Sequence, residues 1–313
     1  APVAHGRALR DAEDERGYAA DLWRRFAEMG FTGIVADEAD GGLGLGHVEA
    51  GIVLKEIGRN LTPSPFLSTA VGAVTALKGA SEPLRRRYLP AILAGESIAA
   101  IAIDEAARHG PHRIGLHAER SGNGFRLNGT KRFVPFGHVA DLLIVAARTS
   151  GAPDDVDGIT LFAVPGDAAI ASSRRLADAS LAAQLDFVDV QVDGDAVIGE
   201  VDGGRGPLGT LLTVLRTGAA SEMLGLANGA TDMTMAYLRD RRQFGQAIGS
   251  FQALQHRAAH LYCELEVARA AVLKAQQLLD QGAEAADRAA TVAKGMVGFA
   301  SLRAVQGGAQ MHG

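Results

Sequence analysis

The sequence contains a single cysteine, Cys263. One cysteine cannot form an internal disulfide, and it excludes every CxxC metal or redox motif. We expect Cys263 to be a small buried residue, because unpaired cysteine is among the most buried residue types. A reducing, cytoplasmic location is therefore the default prediction.

Long apolar runs are missing as well. No stretch approaches the ~18 consecutive apolar residues of a transmembrane helix, so no membrane span is predicted. The opening residues 1–17, APVAHGRALRDAEDERG, are charged and lack an apolar run, so no secretory signal is expected. The formal net charge of −5 gives no basic field for nucleic acid or for an anionic membrane. What remains is a globular composition, 47% hydrophobic and 21% charged, in a chain long enough for more than one core.

Residues 1–97 are predicted to be helical. Apolar residues between Asp21 and Gly30, and between Val48 and Ile57, recur at helical spacing, and Ser81-Glu-Pro83 is typical of a helix start. The glycine cluster GGLGLG at 41–46 lies between the first two of these helices. Its spacing is GGxGxG rather than GxGxxG and no strand precedes it, so it predicts a tight interhelical loop rather than a phosphate-binding loop.

The periodicity changes between residues 98 and 204. Strand-like runs at 124–134, 141–147, 159–165 and 185–192 are separated by Gly, Pro and Asp. In the first run, Asn128-Gly129 is the strongest local hairpin signal, so it predicts two short strands joined by a tight turn. No long helical pattern interrupts the strands. This zone therefore predicts a small antiparallel barrel or sandwich rather than a βαβ domain.

Helical periodicity returns from residue 205 to residue 313. One apolar face of the first long helix is predicted from these residues: Leu208, Leu212, Leu215, Ala219, Leu226, Ala230, Met233 and Tyr237. A seven-residue repeat follows, typical of the seam of an antiparallel bundle; it comprises Leu254, Ala258, Leu261, Leu265, Ala268, Val272, Ala275 and Leu279. A third helix is predicted over 287–310.

These zones predict an α+β fold with three domains. They are an N-terminal helical domain (1–97), a middle antiparallel β domain (98–204) and a C-terminal domain of the four-helix-bundle type (205–313), the last incomplete at its C-terminal end. Within the third zone, His256 and His260 share a helix face as zinc-binding pairs do. No third ligand is in view, so hydrogen-bonded helix histidines are favoured over a metal site.

Three segments of the last zone carry a resemblance to a known family. They are RRQFGQAI at 241–248, FQ at 251–252 and QMHG at 310–313. The first two together resemble the RxQFGxxI…FQ signature of acyl-CoA dehydrogenases, and the third is similar to the start of that family's QxHGGxG motif. The order of helical, β and helical zones is also that of the acyl-CoA dehydrogenase fold. The resemblance implies an FAD-dependent dehydrogenase of acyl-CoA thioesters.

The residue types of these segments suit a dinucleotide. An arginine fork can bind a pyrophosphate in bidentate fashion, and Phe244 offers an aromatic face beside an adenine. By resemblance, Arg241, Phe244, Gln252 and Gln310 contact FAD, largely the FAD held by the neighbouring subunit of a dimer. The alternative for Arg241 is a surface ion pair with Asp240.

Two further segments resemble the family's flavin-side contacts with substitutions. GTKRFVPF at 129–136 is similar to the GxKxW segment, with Phe133 where the ring against the flavin is usually tryptophan. Pro135 replaces the usual hydroxyl residue and cannot donate a backbone hydrogen bond. IAIDE at 101–105 stands where the family has its TEPxxGSD loop, and only Glu105 is kept. Asp104 would place a negative charge near a flavin that becomes anionic on reduction, which disfavours reduction.

The resemblance leaves the catalytic base unassigned. The family's glutamate base lies either just before a helix arginine, where this sequence has Leu215, or some way beyond the QxHGGxG motif, which this sequence does not reach. Glu222 lies two helical turns after Leu215 and is a remote candidate, a buried or interface glutamate being the blander interpretation. Arg216 matches the family arginine that contacts CoA, its alternative being a solvated helix arginine.

Four functions follow, in order of preference. The first is a working acyl-CoA dehydrogenase of fatty acid or lipid catabolism, a homodimer or homotetramer with electron-transfer flavoprotein as electron acceptor. The second is a non-catalytic or half-catalytic subunit that pairs with a paralogous chain, and it is favoured by the altered 101–110 loop and Pro135. The third is a flavin oxidase or monooxygenase on the same fold. The last is a helical scaffold without a ligand.

Overall fold

The computed structural model describes residues 10, 11 and 13–313, so the first nine residues of the charged opening segment lie outside the described residues. Contacts divide the chain into two compact units. We call the described residues of 9–45 together with 63–215 the mixed unit, and 46–62 together with 216–313 the helical unit. The predicted division into three domains stays a prediction. No helix in the described part of the chain is both long and apolar enough to cross a bilayer.

The mixed unit begins with short helices. They are α1 (Ala20–Glu28), 3-10 turns at Phe31–Gly33 and Glu38–Asp40, a π-helical segment (Leu67–Ala73) that continues as α3 (Val74–Lys78), and α4 (Glu82–Leu93). The buried Trp23 indole donates a hydrogen bond to the Gly95 carbonyl at 3.1 Å, which holds α1 against the end of α4. Pro83 lies in the first turn of α4, where its missing N–H has no partner to lose.

Eight strands form one sheet in the mixed unit. They are β1 (Ala99–Ala102), β2 (His117–Ser121), β3 (Gly124–Pro135), β4 (Leu142–Arg148), β5 (Ile159–Pro165), β6 (Ile170–Arg175), β7 (Leu181–Val192) and β8 (Val197–Ile198). Their order is β6-β7-β3-β2-β4-β5-β8, with β1 paired to β4. The predicted antiparallel character is confirmed for most pairs. However, β1 runs parallel to β4, and one residue pair joins β2 to β4 in parallel.

The hairpin predicted at Asn128-Gly129 is wrong. β3 runs without a turn from Gly124 to Pro135, and the turn that joins it to β2 lies at Gly122-Asn123. Asn128 and Gly129 instead mark a shift in the register of β3 against β7. Glycine is required there because a Cβ on Gly129 would approach the Leu116 Cα to 2.9 Å. The local signal therefore reports a close approach within the sheet rather than a chain reversal.

The helical unit consists mainly of long helices. They are α2 (His47–Arg59), α5 (Arg205–Asp240), α6 (Gln252–Asp280) and α7 (Ala286–His312), with a two-stranded ribbon of β9 (Arg242–Gln243) and β10 (Gln246–Ala247). The unit division falls within α5, between Leu215 and Arg216. The glycine cluster at 41–46 lies between the 3-10 turn at Glu38–Asp40 and α2. As predicted, it forms a loop without helix or strand.

The predicted seam of α6 is largely confirmed, whereas the predicted face of α5 is not. The α6 residues Leu261, Leu265, Ala268, Val272 and Ala275 are buried. On α5 Leu208 is buried as predicted, but the other buried apolar residues are not the predicted ones; they are Leu211, Val214, Ala220, Leu224, Ala227 and Leu238. Apolar residues surround most of this helix, so periodicity alone does not fix which side is buried.

The expectation that Cys263 is buried is wrong. Cys263 is exposed, because it lies between Leu261 and Leu265 on the side of α6 that faces away from the seam. Helical geometry decides this exposure, and the general preference of cysteine for the interior does not.

Candidate functional site

The segment after α5 presents an exposed aromatic ring on a strained turn. Phe244 and Gly245 connect β9 to β10, and both have positive φ, 55° and 78°. Two positive φ angles are the geometry of a type I′ turn, which normally carries Asn-Gly. Phenylalanine is strained in this conformation. Its side chain is 89% exposed and touches Phe251 edge-on, with ring centroids 6.1 Å apart. The turn therefore presents a large apolar ring to the outside.

Arg241 begins this turn segment, and its backbone is held on both sides. Its amide donates to the Tyr237 carbonyl at 2.9 Å, and its carbonyl accepts from the Ile248 amide at 2.8 Å, so the backbone is fixed at both ends. The guanidinium forms no ion pair within residues 13–313, and the alternative pair with Asp240 is not formed. A cation on a fixed backbone, with no ion-pair partner among the described residues, suits an anion from outside the chain.

The end of α7 lies beside the end of α5. The Tyr237 and His312 rings are stacked with centroids 4.2 Å apart, and the Tyr237 hydroxyl donates to the His312 carbonyl at 3.1 Å. The contact brings Gln310 to the end of the helical unit that carries Arg241, and Gln252 opens α6 on the same segment. Both glutamines are exposed. The contact places the QMHG segment beside Tyr237, one helical turn before Arg241, while the ligand roles of these residues stay predictions.

In the mixed unit, Phe133 lies on a bulge of β3. The register of β3 against β7 shifts between Lys131 and Val134, so Arg132 and Phe133 are outside the ladder. The Arg132 amide donates instead to the Asp104 carbonyl at 2.7 Å. Phe133 has φ of 53° and is 50% exposed. A bulge re-aims a side chain out of the strand pattern, so Phe133 departs from the alternation of β3, and its contact with a flavin stays a prediction.

Asp104 is held close to this bulge, and its charge is partly satisfied within its own loop. Its carboxylate lies 2.8 Å from His109 Nδ1 and accepts the Gly110 amide at 3.1 Å. The structure thus brings Asp104 and Phe133 together through the backbone of Arg132. The carboxylate contacts His109 and the Gly110 amide, and its effect on a flavin stays a prediction.

A buried ion pair lies behind this bulge, and no sequence motif singles it out as a pair. Lys131 is fully buried, and its Nζ donates to Glu105 Oε1 at 2.6 Å and to the Ile103 carbonyl at 2.9 Å. The Glu105 carboxylate also accepts the amides of Gly115 and Leu116, at 2.8 and 3.0 Å. Burial lowers the pKa of Lys131 to about 8, while Glu105 opposes this shift. A buried cation needs an anionic partner, but the burial of Lys131 is seen only in the structure, so the sequence carries no signal for this pair.

Arg216 and Glu222 occupy different surroundings on α5. The Arg216 guanidinium donates to Asp287 at 2.6 Å and to the Thr291 hydroxyl at 3.1 Å, so in this structure it is engaged with α7. Its contact with CoA stays a prediction. Glu222 is partly buried, and burial raises the pKa of its carboxyl to about 7. A carboxyl that titrates near neutrality can accept a proton, but its role as a base stays untested.

The paired histidines of α6 lie on an exposed face. His260 Nδ1 is 3.4 Å from Glu264, which also pairs with Arg303. Among the described residues no group of three or more His, Cys, Asp and Glu side chains is arranged to hold a metal ion.

Comparison with known proteins covers almost the whole chain. The model of the acyl-CoA dehydrogenase N-terminal domain matches residues 4–96, and that of the acyl-CoA dehydrogenase C-terminal domain matches residues 202–313. Mitochondrial isovaleryl-CoA dehydrogenase of Pongo abelii is 32% identical over 285 residues, 87% of this chain and 67% of that protein.

Two further relatives differ from it in their substrates. Cyclohex-1-ene-1-carbonyl-CoA dehydrogenase of Geobacter metallireducens is 30% identical over 306 residues, 95% of this chain and 79% of that protein. Among solved structures, a variant of the Tcur3481-Tcur3483 steroid ACAD has a TM-score of 0.87 at 32% identity. The match covers 99% of this chain and 82% of that chain.

Proposed function

Because the chain belongs to the acyl-CoA dehydrogenase family, whose members are FAD-dependent oxidoreductases that dehydrogenate acyl-CoA thioesters, we propose that it acts with FAD shared between two subunits. The observation that carries this proposal is the turn segment 241–252. It combines Arg241, which has no ion-pair partner in the part of the chain that the structure describes, with Phe244, which is almost fully exposed on a strained turn. Strain and exposure of this kind are kept where a bound partner compensates for them.

The residues present fit three parts of an FAD molecule, the pyrophosphate, the adenine and the isoalloxazine. In the helical unit, Arg241 supplies a cation for the pyrophosphate, Phe244 a ring for the adenine, and Gln252 and Gln310 uncharged hydrogen-bonding groups. In the mixed unit, Phe133 leaves the sheet on a bulge and supplies an aromatic face for the isoalloxazine. We assign the first set to the FAD of a neighbouring subunit and the second to the FAD of the same subunit.

The proposed reaction converts an acyl-CoA thioester into the 2-enoyl thioester, with the α-proton taken by a base and the β-hydrogen leaving as hydride. The flavin supplies the hydride acceptor when bound. The chain's own residues bind and orient the substrate, and Arg216 is the proposed contact for CoA. We propose that none of residues 1–313 is the main catalytic base, since Leu215 stands at one family position.

The electron acceptor and the assembly are also proposals. An electron-transfer flavoprotein would reoxidise the flavin, and the subunit would be a homodimer, a homotetramer or a member of a pair with a paralogous chain, in a cytoplasmic location. The shared cofactor supports an oligomer, since the helical-unit residues are offered to a neighbour's FAD. A role in fatty acid or lipid catabolism follows from the thioester substrate.

The test begins with the protein purified alone. We expect it to be yellow and its flavin absorbance to bleach when an acyl-CoA thioester is added without oxygen. Bleaching only after a paralogous subunit is added would favour the hetero-oligomer. A colourless protein that neither binds added FAD nor bleaches, with or without a second subunit, would contradict the proposed function.

A further inference from the structure

Residues 103–116 form a loop without helix or strand, and buried groups hold both of its ends. Ile103, Ile114 and Leu116 are buried. Loops without regular structure need other hydrogen-bond partners for their backbone groups. Here one partner is Arg148, a buried side chain that donates to the Ile114 carbonyl at 3.1 Å. Arg148 also donates to carbonyls of residues 153–157, so it secures the C-terminal end of the loop against that neighbouring segment.

Lys131 secures the other end of the loop. Its ammonium contacts the Ile103 carbonyl and the Glu105 carboxylate, and that carboxylate reaches across the loop to the amides of Gly115 and Leu116. One lysine side chain therefore connects the start of the loop, through a single carboxylate, with its end. A charge-assisted contact of this kind is both short and directional.

The same lysine immediately precedes the β3 bulge. Arg132, the next residue, gives its amide to the Asp104 carbonyl, and Phe133 then adopts a positive φ. The bulge and the loop are thus joined twice, once by the Lys131 side chain and once by the Arg132 backbone. Movement of the loop would remove the partner of the Arg132 amide and release the conformation of Phe133.

We propose that Lys131 is a positioning residue of the flavin site, which acts through Glu105 to hold loop 103–116 against the bulge that presents Phe133. The proposal rests on the proposed function, because only that function places a flavin at Phe133. A buried ion pair is a poor source of stability compared with apolar packing. The Lys131–Glu105 pair is therefore better explained by the geometry that it imposes on the loop than by a contribution to stability.

The experiment compares Lys131→Met with Thr130→Val in the full chain. Thr130 is the adjacent β3 residue, and its hydroxyl donates to Asp186 at 2.7 Å rather than to the loop. We expect Lys131→Met to lower hydrogen-exchange protection of the Gly115 and Leu116 amides by about tenfold or more, as loss of a hydrogen bond to a charged group implies. Thr130→Val should leave these two amides unchanged relative to the rest of β3.

The flavin provides the second readout. In Lys131→Met the FAD dissociation constant should rise and the flavin midpoint potential should fall, because Glu105 keeps its negative charge without the neighbouring ammonium. Glu105→Gln combined with Lys131→Met should recover much of the potential but not the protection of Gly115. In that pattern the flavin potential reports the charge of Glu105, and the protection of the Gly115 amide reports whether Lys131 holds the loop in place.

Two results would overturn the proposal for different reasons. Unchanged protection of Gly115 and Leu116 in Lys131→Met would show that Lys131 does not hold the loop, whatever the flavin does. Lost protection with FAD affinity and potential equal to those of Thr130→Val would show that the held loop lies away from the flavin. Failure of the wild-type protein to bind FAD would instead contradict the proposed function, and the exchange measurement would still decide the role of Lys131 in the loop.

Discussion

In the mixed unit the cations Lys131 and Arg148 are buried and hydrogen-bonded by the protein itself, whereas in the helical unit Arg241 is exposed without an ion-pair partner in the described part of the chain. The two regions also differ in their aromatic rings. Phe133 is half-exposed beside an internal network, and Phe244 stands almost free on a two-residue turn. The mixed unit thus pairs its buried cations internally, while the helical unit exposes a cation and an aromatic ring to solvent.

The largest effect is expected from removing a buried cation. Arg148→Met removes a donor from four backbone carbonyls, those of Ile114 and of residues 153, 155 and 157, while the Pro153 carbonyl keeps the Ile114 amide at 3.0 Å. We expect the free energy of unfolding to fall by about 3–5 kcal/mol, as for other broken buried charge networks. Urea denaturation measures this loss. Arg205→Met, at an exposed arginine of the same unit, is the control, and an equal loss in both variants would contradict the comparison.

A smaller change, an increase in the free energy of unfolding, is expected when Glu222 is replaced by glutamine. Its folded-state pKa is raised to about 7 from an ordinary 4.5, so the folded chain binds this proton more tightly than the unfolded chain does. Stability from this group is therefore lost as pH rises from about 4.5 to 7. Glu222→Gln should be more stable than wild type by about 1–3 kcal/mol at pH 8, and the gap should shrink at pH 5.

Denaturation at the two pH values provides the measurement, with the exposed Glu284→Gln as a control for the loss of a charge. Glu222→Gln should also keep most of its dehydrogenase activity, because Glu222 is not the predicted base. A collapse of kcat with normal flavin content would show that Glu222 is catalytic.

Relief of turn strain should give a gain of about 1 kcal/mol. Phe244→Asn places in the type I′ turn a residue that tolerates positive φ. We expect higher stability together with weaker retention of FAD, since the exposed ring is lost. Phe299→Asn, at a helical phenylalanine that is 72% exposed, should give no such gain. Unchanged FAD retention in Phe244→Asn would remove Phe244 from the cofactor site.

The smallest change in stability is expected for Arg241→Ala, within about 0.5 kcal/mol, because an exposed guanidinium without a partner contributes little. FAD retention and dimerisation should nevertheless weaken together. Equilibrium dialysis and sedimentation measure these, with Arg242→Ala as the neighbouring control. A stable monomer that keeps FAD with unchanged affinity would refute the shared site.

The motifs of the helical unit could be predicted because their chemistry is local. RRQFGQAI fixes residue types that are adjacent in sequence, and its link to Gln310 needs only that two helix ends meet, which Tyr237 and His312 provide. The family and the α+β fold could likewise be predicted from the segments. The cofactor roles of the individual residues stay predictions.

The internal network of the mixed unit could not be predicted in the same way. The partners Lys131 and Glu105 belong to different segments, and their contact depends on how loop 103–116 returns to β3. Asn128-Gly129 gave a wrong hairpin prediction because the close approach of Leu116 requires a glycine at position 129, and a hairpin turn would require glycine there as well. The predicted buried face of α5 was wrong because the apolar residues of this helix are not confined to one side.

The sole tryptophan, Trp23, is buried in the mixed unit against the Gly95 carbonyl, and the sole cysteine, Cys263, is exposed on α6 of the helical unit. Each unit therefore carries its own optical probe without any substitution. Tryptophan emission reports the unfolding of the mixed unit, and a thiol-linked dye reports that of the helical unit. Coincident transitions of the two signals would show one cooperative molecule, and separate midpoints would show two units that lose structure independently.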